Sequence, residues 1–133
     1  MPEGVWRTAA ESLDTAQHLL NTRRPFHAHE VLEDAWKAAR SDERELWRGL
    51  AQLAVGLTHV ERGNPAGAVS LLRRGAESIA AFATTRPHGV DVPGLMTWAA
   101  SLADDIAAGS TMDADVRLAP ALRAADDKTG PGR

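Results

Sequence analysis

The sequence predicts an all-α fold built as a single domain. Apolar residues recur with helical spacing in five segments, and polar turns containing proline, glycine or asparagine separate those segments. No segment alternates apolar and polar residues over the length that a half-buried strand needs. The chain has 133 residues, of which 44% are hydrophobic and 25% charged, and this composition is typical of one globular domain.

The first two predicted helices are joined by a short polar turn. The first runs from Trp6 to Leu20, because its apolar residues fall on one helix face. Residues 21–24 interrupt that pattern. Pro25 suits the first turn of a second helix, where its missing N–H costs nothing, and this helix extends to about Arg40.

The third and fourth predicted helices are separated by a similar turn. Ser41 is the predicted N-cap of the third helix, which continues to about Arg62. Gly63 then ends this helix, Asn64 caps the fourth, and Pro65 occupies its first position. The resulting pattern indicates two helical hairpins in succession.

The fifth predicted helix closes one side of the two hairpins. It runs from about Pro93 to Ala108, after a loop at residues 86–93. A weak repeat, about forty residues long, of polar turn, proline and leucine favours stacked hairpins with tetratricopeptide-like pairing. The sequence thus predicts a five-helix domain over residues 1–110, and a C-terminal tail over 111–133 that is disordered or wraps the bundle.

Composition and charge exclude several classes of function. Cysteine is absent, which rules out disulfides, thiolate zinc sites and cysteine nucleophiles. A net charge of −3 gives no overall attraction to nucleic acid or to an anionic membrane. The N-terminus has no apolar signal core, and no apolar run approaches the ~20 residues that span a bilayer. We therefore expect a cytoplasmic protein that binds neither nucleic acid nor membrane.

The segment from Phe26 to Trp36 is the chemically densest part of the chain, with two histidines and three acids. On a helical wheel of about 100° per residue, His29 lies at the edge of the apolar arc, with Glu33 as its next neighbour outward. His27 points almost opposite His29. The two histidines are therefore not predicted to chelate one ion.

The predicted third helix carries a broad apolar face, which predicts a central helix contacted from two sides. Beside that face lies a polar stripe containing Arg48, Gln52 and His59. A buried polar group without a partner costs about 1–3 kcal/mol, so we expect the second helix to supply partners. The candidate functional cluster comprises His29, Glu30, Glu33, Trp36, Arg48, Gln52, His59 and Asn64.

Two glycines also mark the third helix. Gly49 and Gly56 lie seven residues apart on one face. Glycine inside a helix is less favourable than alanine by about 1 kcal/mol. The pair therefore indicates either close approach of another helix or room for a small ligand.

Three spaced motifs in this chain resemble a known prokaryotic family, the domain of unknown function numbered 309. The motifs are Phe26-x-Ala28-His29-Glu30-Val31-Leu32-Glu33-x-x-Trp36, then Trp47-x-Gly49-Leu50-x-Gln52-Leu53-Ala54-Val55-Gly56-x-x-His59, then Arg62-Gly63-Asn64-x-x-Gly67-Ala68. The resemblance covers about residues 12 to 82 and implies a small all-helical domain of unestablished activity. His27 and Trp47 depart from the family pattern, which often has an acidic residue and a phenylalanine there.

The sequence leaves two classes of function open. It favours a non-enzymatic protein-interaction or structural module with a buried His/Glu/Arg/Gln cluster. The alternative is an enzyme that uses acid–base chemistry or a metal on a small ligand held in that cluster. No cofactor is expected under the first reading. Under the second, a divalent metal would use His29, Glu33 and His59, because imidazole and carboxylate together bind zinc, iron, nickel or manganese.

Other features have simpler interpretations. The spacing of His29 and Glu33 matches neither the zinc metalloprotease motif nor the di-iron motif. His18 and His88 are predicted to be isolated surface residues. A protein partner or a second copy of the chain could bind through apolar positions on the fifth helix.

Overall fold

The computed structural model describes residues 7–109 and 118–123. These residues form an all-α fold, as predicted, with one isolated β-bridge between Val90 and Arg123. The helices are α1 (Ala9–Asn21), α2 (Pro25–Ala38), α3 (Arg44–Glu61), α4 (Pro65–Ile79) and α5 (Val92–Ala107). Within the described ranges, no helix has both the length and the apolar character needed to cross a membrane. Trp6, the predicted start of the first helix, lies outside the described residues.

The helix starts show which caps the sequence predicts correctly. Asn64 caps α4, accepting a hydrogen bond from the backbone N–H of Gly67 at 3.2 Å. Ser41 is wrong as the cap of α3. The Glu43 N–H donates to the Arg40 carbonyl at 2.9 Å, so residues 40–43 form a separate turn, and the helix begins two residues later than predicted.

The turns after α1 and α3 have the same geometry. Arg23 (φ 63°) and Gly63 (φ 72°) both adopt the left-handed conformation. The residue that follows each of them donates its N–H to a carbonyl in the last turn of the helix: Arg24 to Leu19 at 2.8 Å, and Asn64 to His59 at 2.9 Å. These are Schellman-type helix ends. The weak repeat in the sequence thus corresponds to a repeated structural turn.

Each helix packs mainly against its neighbours in the chain, so α3 lies between α2 and α4, as predicted for a central helix. Its leucines at positions 46, 50, 53 and 57 are almost fully buried. The helix α5 covers the other side of α4, and its Leu95 and Leu102 are likewise buried. The main apolar residues of α5, the predicted closing helix, are therefore buried in this core.

A C-terminal strap, defined as residues 118–123, joins the beginning and the end of the bundle. Both of its leucines are buried. The Gln17 side chain donates to the Pro120 carbonyl at 2.9 Å and accepts from the Leu122 N–H at 2.8 Å. The Asp91 N–H donates to the Leu122 carbonyl at 2.9 Å. Part of the predicted tail thus wraps the bundle; its residues 111–117 and 124–133 lie outside the described residues.

Candidate functional site

The predicted cluster is divided between two faces of the molecule. The candidates of α2 lie on its outer side, whereas Gln52 and His59 of α3 make their bonds to α4 and to the turn before it. Within the described ranges, no hydrogen bond or ion pair joins His29 or Glu33 to Arg48, Gln52 or His59. The predicted polar joint between the second and third helices is therefore not formed.

His29 and Glu33 form a pair at the edge of the bundle. The Nε2 atom of His29 lies 3.7 Å from Oε1 of Glu33, one helical turn later. The His29 side chain is 22% exposed and that of Glu33 is 39% exposed. The Nδ1 atom of His29 is buried and has no hydrogen-bond partner among the described residues. This pair occupies the edge position that the helical wheel predicts.

The ring of Phe26, at the beginning of α2, contacts several polar side chains. Its ring is 42% exposed, and its centroid lies 5.9 Å and 5.7 Å from the rings of His27 and His29. The Arg62 guanidinium carbon lies 5.4 Å from the ring centroid, within range of a cation–π contact. His27 also lies 3.1 Å from the Glu30 carboxylate, and both of these side chains are exposed.

Trp36 and Arg48 have local roles. Trp36 is partly buried against the core, and the Arg44 guanidinium carbon lies 5.6 Å from its ring centroid. Arg48 lies 3.5 Å from the Glu45 carboxylate on the same helix, and both side chains are about half exposed. Arg48 therefore does not belong to a buried cluster, because its position on α3 points to solvent.

Gln52 and His59 join α3 to α4. The Ser78 hydroxyl donates to Gln52 Oε1 at 2.9 Å in a partly buried position. The Asn64 amide nitrogen donates to His59 Nδ1 at 3.1 Å, while the Asn64 oxygen caps α4. His59, Asn64 and the first turn of α4 thus form one extended cap.

The glycines explain why the polar stripe of α3 faces α4. A Cβ atom on Gly49 would lie 2.5 Å from Ile79 Cγ2 and 3.0 Å from the Gly75 carbonyl oxygen. A Cβ atom on Gly56 would lie 3.0 Å from Leu72 Cγ. Of the two interpretations open for these glycines, close helix approach is confirmed, and side chains of α4 fill the space that a ligand would need.

The three proposed metal ligands are not brought together. His29 and Glu33 lie on the outer side of α2, whereas His59 Nδ1 is bonded to Asn64 beside α4. Among the residues that the structure describes, no group of three or more His, Asp or Glu side chains is placed to hold a metal ion. The pair on α2 could supply two ligands to an ion.

His88 is a residue whose contacts sequence reasoning missed. Its Nε2 atom lies 2.8 Å from Glu43 Oε1, and its ring centroid lies 5.9 Å from that of Trp47. It therefore attaches the loop before α5 to the turn before α3, and the prediction that it is isolated is wrong. His88 also has a left-handed backbone conformation (φ 58°), which its residue type does not indicate.

An acidic groove of about 460 Å³ lies between α1 and α2. The partly buried Leu19 provides apolar surface in it, and Val31, which is only 7% exposed, lies in its wall. Three carboxylates, those of Glu30, Glu33 and Asp34, lie around it. One arginine, Arg7, also lines the groove, and its guanidinium lies 3.8 Å from the Asp34 carboxylate. With neutral histidine, the lining carries a net negative charge.

A basic pocket of about 280 Å³ lies beside this groove, where α2 begins and α3 ends. Its lining residues are Arg23, Arg24, Pro25, Phe26, His27, Thr58, Glu61 and Arg62. The Glu61 carboxylate is bonded to Arg23 at 2.8 Å. His27 lines both the basic pocket and the acidic groove, so the two are directly adjacent.

Two bacterial proteins are similar to part of this chain. An uncharacterised protein of Aquifex aeolicus (strain VF5) is 33% identical over 66 residues, which are 49% of this chain and 20% of that protein. The uncharacterised protein YpuF of Bacillus subtilis (strain 168) is 46% identical over 52 residues, which are 38% of this chain and 30% of that protein. The aligned regions thus span less than a third of either relative. No solved structure gives a significant match.

The family comparison covers the helices that carry the candidate residues. Residues 13–71 match the model of DUF309, a domain of unknown function. This range extends from α1 into α4 and ends earlier than the predicted resemblance, which reached about residue 82. The predicted resemblance to this family is therefore confirmed over residues 13–71.

Proposed function

We propose that this protein is a non-enzymatic interaction module that binds a basic segment of a partner protein in the acidic groove. The observation that carries the proposal is the combination of an apolar surface, provided mainly by the partly buried Leu19, with three surrounding carboxylates. Lysine and arginine have long apolar stems and charged ends. Such side chains can cover the leucine while their charges approach the carboxylates.

The charge of the groove contributes more to the selection of a partner than to the affinity for it. Glu30 and Asp34 are about half exposed, so each ion pair with a partner would contribute at most about 1 kcal/mol. Complementary charge at this level mainly selects partners and accelerates association. Affinity would come from the apolar surface between the carboxylates.

The polar residues of α3 also support this proposal over an enzyme. Gln52 and His59 make hydrogen bonds that hold helices together, with Ser78 and Asn64 as partners. The enzymatic alternative needs His59 to converge with His29 and Glu33, and in this structure His59 bonds to the opposite neighbour of α3.

Peptide binding tests the proposed function. The probe is a short fluorescent peptide of alternating lysine and leucine, and the measurement is fluorescence anisotropy at low salt. We expect the variant Glu30→Gln/Glu33→Gln/Asp34→Asn to lose at least about tenfold in affinity, because it removes all three carboxylates of the groove. The matched control, Glu45→Gln/Glu77→Gln/Asp104→Asn, makes the same change of charge elsewhere and should stay within about twofold of the wild type.

Two outcomes would contradict the proposal. Equal loss in both triple variants would show that the peptide responds only to net charge. The second is stoichiometric metal in elemental analysis that is lost in His29→Ala, together with a melting temperature that a chelator lowers. That result would support the metal-dependent alternative at the same surface.

A further inference from the structure

The acidic groove and the basic pocket carry opposite charge, lie side by side on α2, and share His27. We propose that the partner in the acidic groove is a second copy of this chain, whose basic pocket supplies the cations. The inference rests on the proposed function, which already assigns the groove to a basic segment. It names the source of that segment.

The order of charges along α2 suits two-fold pairing. Arg24 precedes the helix, and Glu33 follows nine residues later, which corresponds to about 14 Å at the helical rise. When two copies of α2 lie antiparallel across a two-fold axis, the basic end of each helix faces the acidic part of the other. Because such an interface uses the same patch on both copies, both charge contacts form together.

The basic groups that this pairing needs are not held by carboxylates. Within the described residues, Arg24 makes no ion pair or hydrogen bond through its side chain, and the Arg62 guanidinium has only its contact with the Phe26 ring. Arg23 is different, because it is bonded to Glu61 within the same chain. Arg24 and Arg62 are therefore the cations assigned to the second copy.

Phe26 provides an apolar centre for the same contact. Among the described residues it is the one large hydrophobic side chain that is classed as exposed. It lines the pocket together with the two arginines, and it stands in the first turn of the helix that carries the carboxylates. An apolar contact surrounded by polar residues is the usual arrangement of a protein interface. With a single large apolar side chain at its centre, this contact predicts a weak, concentration-dependent dimer.

Charge reversal tests this pairing in the full-length chain. One variant, Arg24→Glu/Arg62→Glu, reverses the basic end, and the other, Glu30→Arg/Glu33→Arg, reverses the acidic part. Sedimentation velocity over a concentration series measures the dimer dissociation constant. We expect each variant alone to weaken dimerisation at least about tenfold, since both contacts become repulsive.

An equimolar mixture of the two variants gives the decisive measurement. In the mixed dimer, the reversed basic end of one chain faces the reversed acidic part of the other, and both contacts are again attractive. We expect the mixture to dimerise within about threefold of the wild type, and high salt to weaken both dimers. Matched controls reverse charges elsewhere, in Arg48→Glu/Arg74→Glu and Glu45→Arg/Glu77→Arg, and should dimerise as the wild type does. Circular dichroism checks that every variant remains folded.

The outcomes separate this inference from the proposed function. A wild type that stays monomeric at every concentration, yet binds the lysine–leucine peptide, overturns the second-copy inference and leaves the proposed function standing. A dimer that persists in both reversed variants, or is not restored in their mixture, also overturns the inference, because it uses another surface. If the wild type neither binds the peptide nor dimerises, both proposals are refuted.

Discussion

The replacement Gly49→Ala tests whether the glycines of α3 set the distance to α4. The added Cβ atom would lie 2.5 Å from Ile79 Cγ2, 2.9 Å from Ser78 Cβ and 3.0 Å from the Gly75 carbonyl oxygen. None of these atoms can move independently of its surroundings. The isoleucine is β-branched and fully buried, so its Cγ2 is fixed by a stiff rotamer. The helices themselves must therefore move apart.

Two effects of this replacement oppose each other. Overpacking a well-packed core costs about 1–3 kcal/mol, whereas alanine is more favourable than glycine inside a helix by about 1 kcal/mol. The contacts at Gly49 are severe, so overpacking should win, with a net loss of about 1–2 kcal/mol in the free energy of unfolding. For a domain of this size, that loss lowers the melting temperature by about 3–8 °C.

Gly56→Ala is the matched control, because it makes the same chemical change on the same face of the same helix. Its Cβ atom would lie 3.0–3.3 Å from atoms of Leu72, so this neighbour has to shift by only a few tenths of an ångström. We expect its stability to stay within about 1 kcal/mol of the wild type, since the helix propensity of alanine offsets a milder contact. Guanidinium denaturation measures the free energy of unfolding of both variants. An m value equal to that of the wild type shows that only stability has changed. If Gly49→Ala were as stable as the wild type, the close approach would not be what these glycines provide.

Three further contacts have measurable consequences. Asn64→Ala should lower the free energy of unfolding by about 1 kcal/mol in thermal denaturation, because α4 loses its cap, and Asn64→Asp should recover most of that loss. Gln17→Leu removes both hydrogen bonds to the C-terminal strap, so hydrogen exchange of the strap amides should accelerate at least about tenfold while α3 stays protected. His88→Ala and Glu43→Ala should lower the melting temperature by similar amounts, and the double variant by no more than either; additive losses would show that these two side chains do not interact.

The fold was predictable because its signals are local. Pro25 begins α2, Gly63 ends α3 in the left-handed conformation, and Asn64 caps α4, as expected from residue type alone. Ser41 failed as a cap because the turn at residues 40–43 comes first, and a favourable cap residue does not specify where a helix begins. The prediction for His88 was wrong because its partner, Glu43, lies 45 residues away in the chain, and local spacing does not identify such a contact.

The site was harder to predict because helical spacing specifies angles around one helix and does not name the neighbour at each angle. The prediction correctly placed Gln52 and His59 on one arc of α3, but it assigned that arc to α2. A central helix has two neighbours, and both candidate partners carried polar side chains. Periodicity predicts which residues share an arc of the helix, but it does not predict which neighbouring helix that arc contacts.

The glycines contain the missing information. Gly49, Gln52, Gly56 and His59 follow helical spacing on one face, and a face with glycines is one that another helix can approach closely. The predicted second helix has no glycine, whereas the fourth has Gly75, whose own Cβ would lie 2.9 Å from the Gly49 carbonyl oxygen. Assigning the polar arc to α4 leaves the histidines and carboxylates of α2 without partners on α3. Of these, His27, Glu30, Glu33 and Asp34 line the groove or the pocket on which both binding proposals depend.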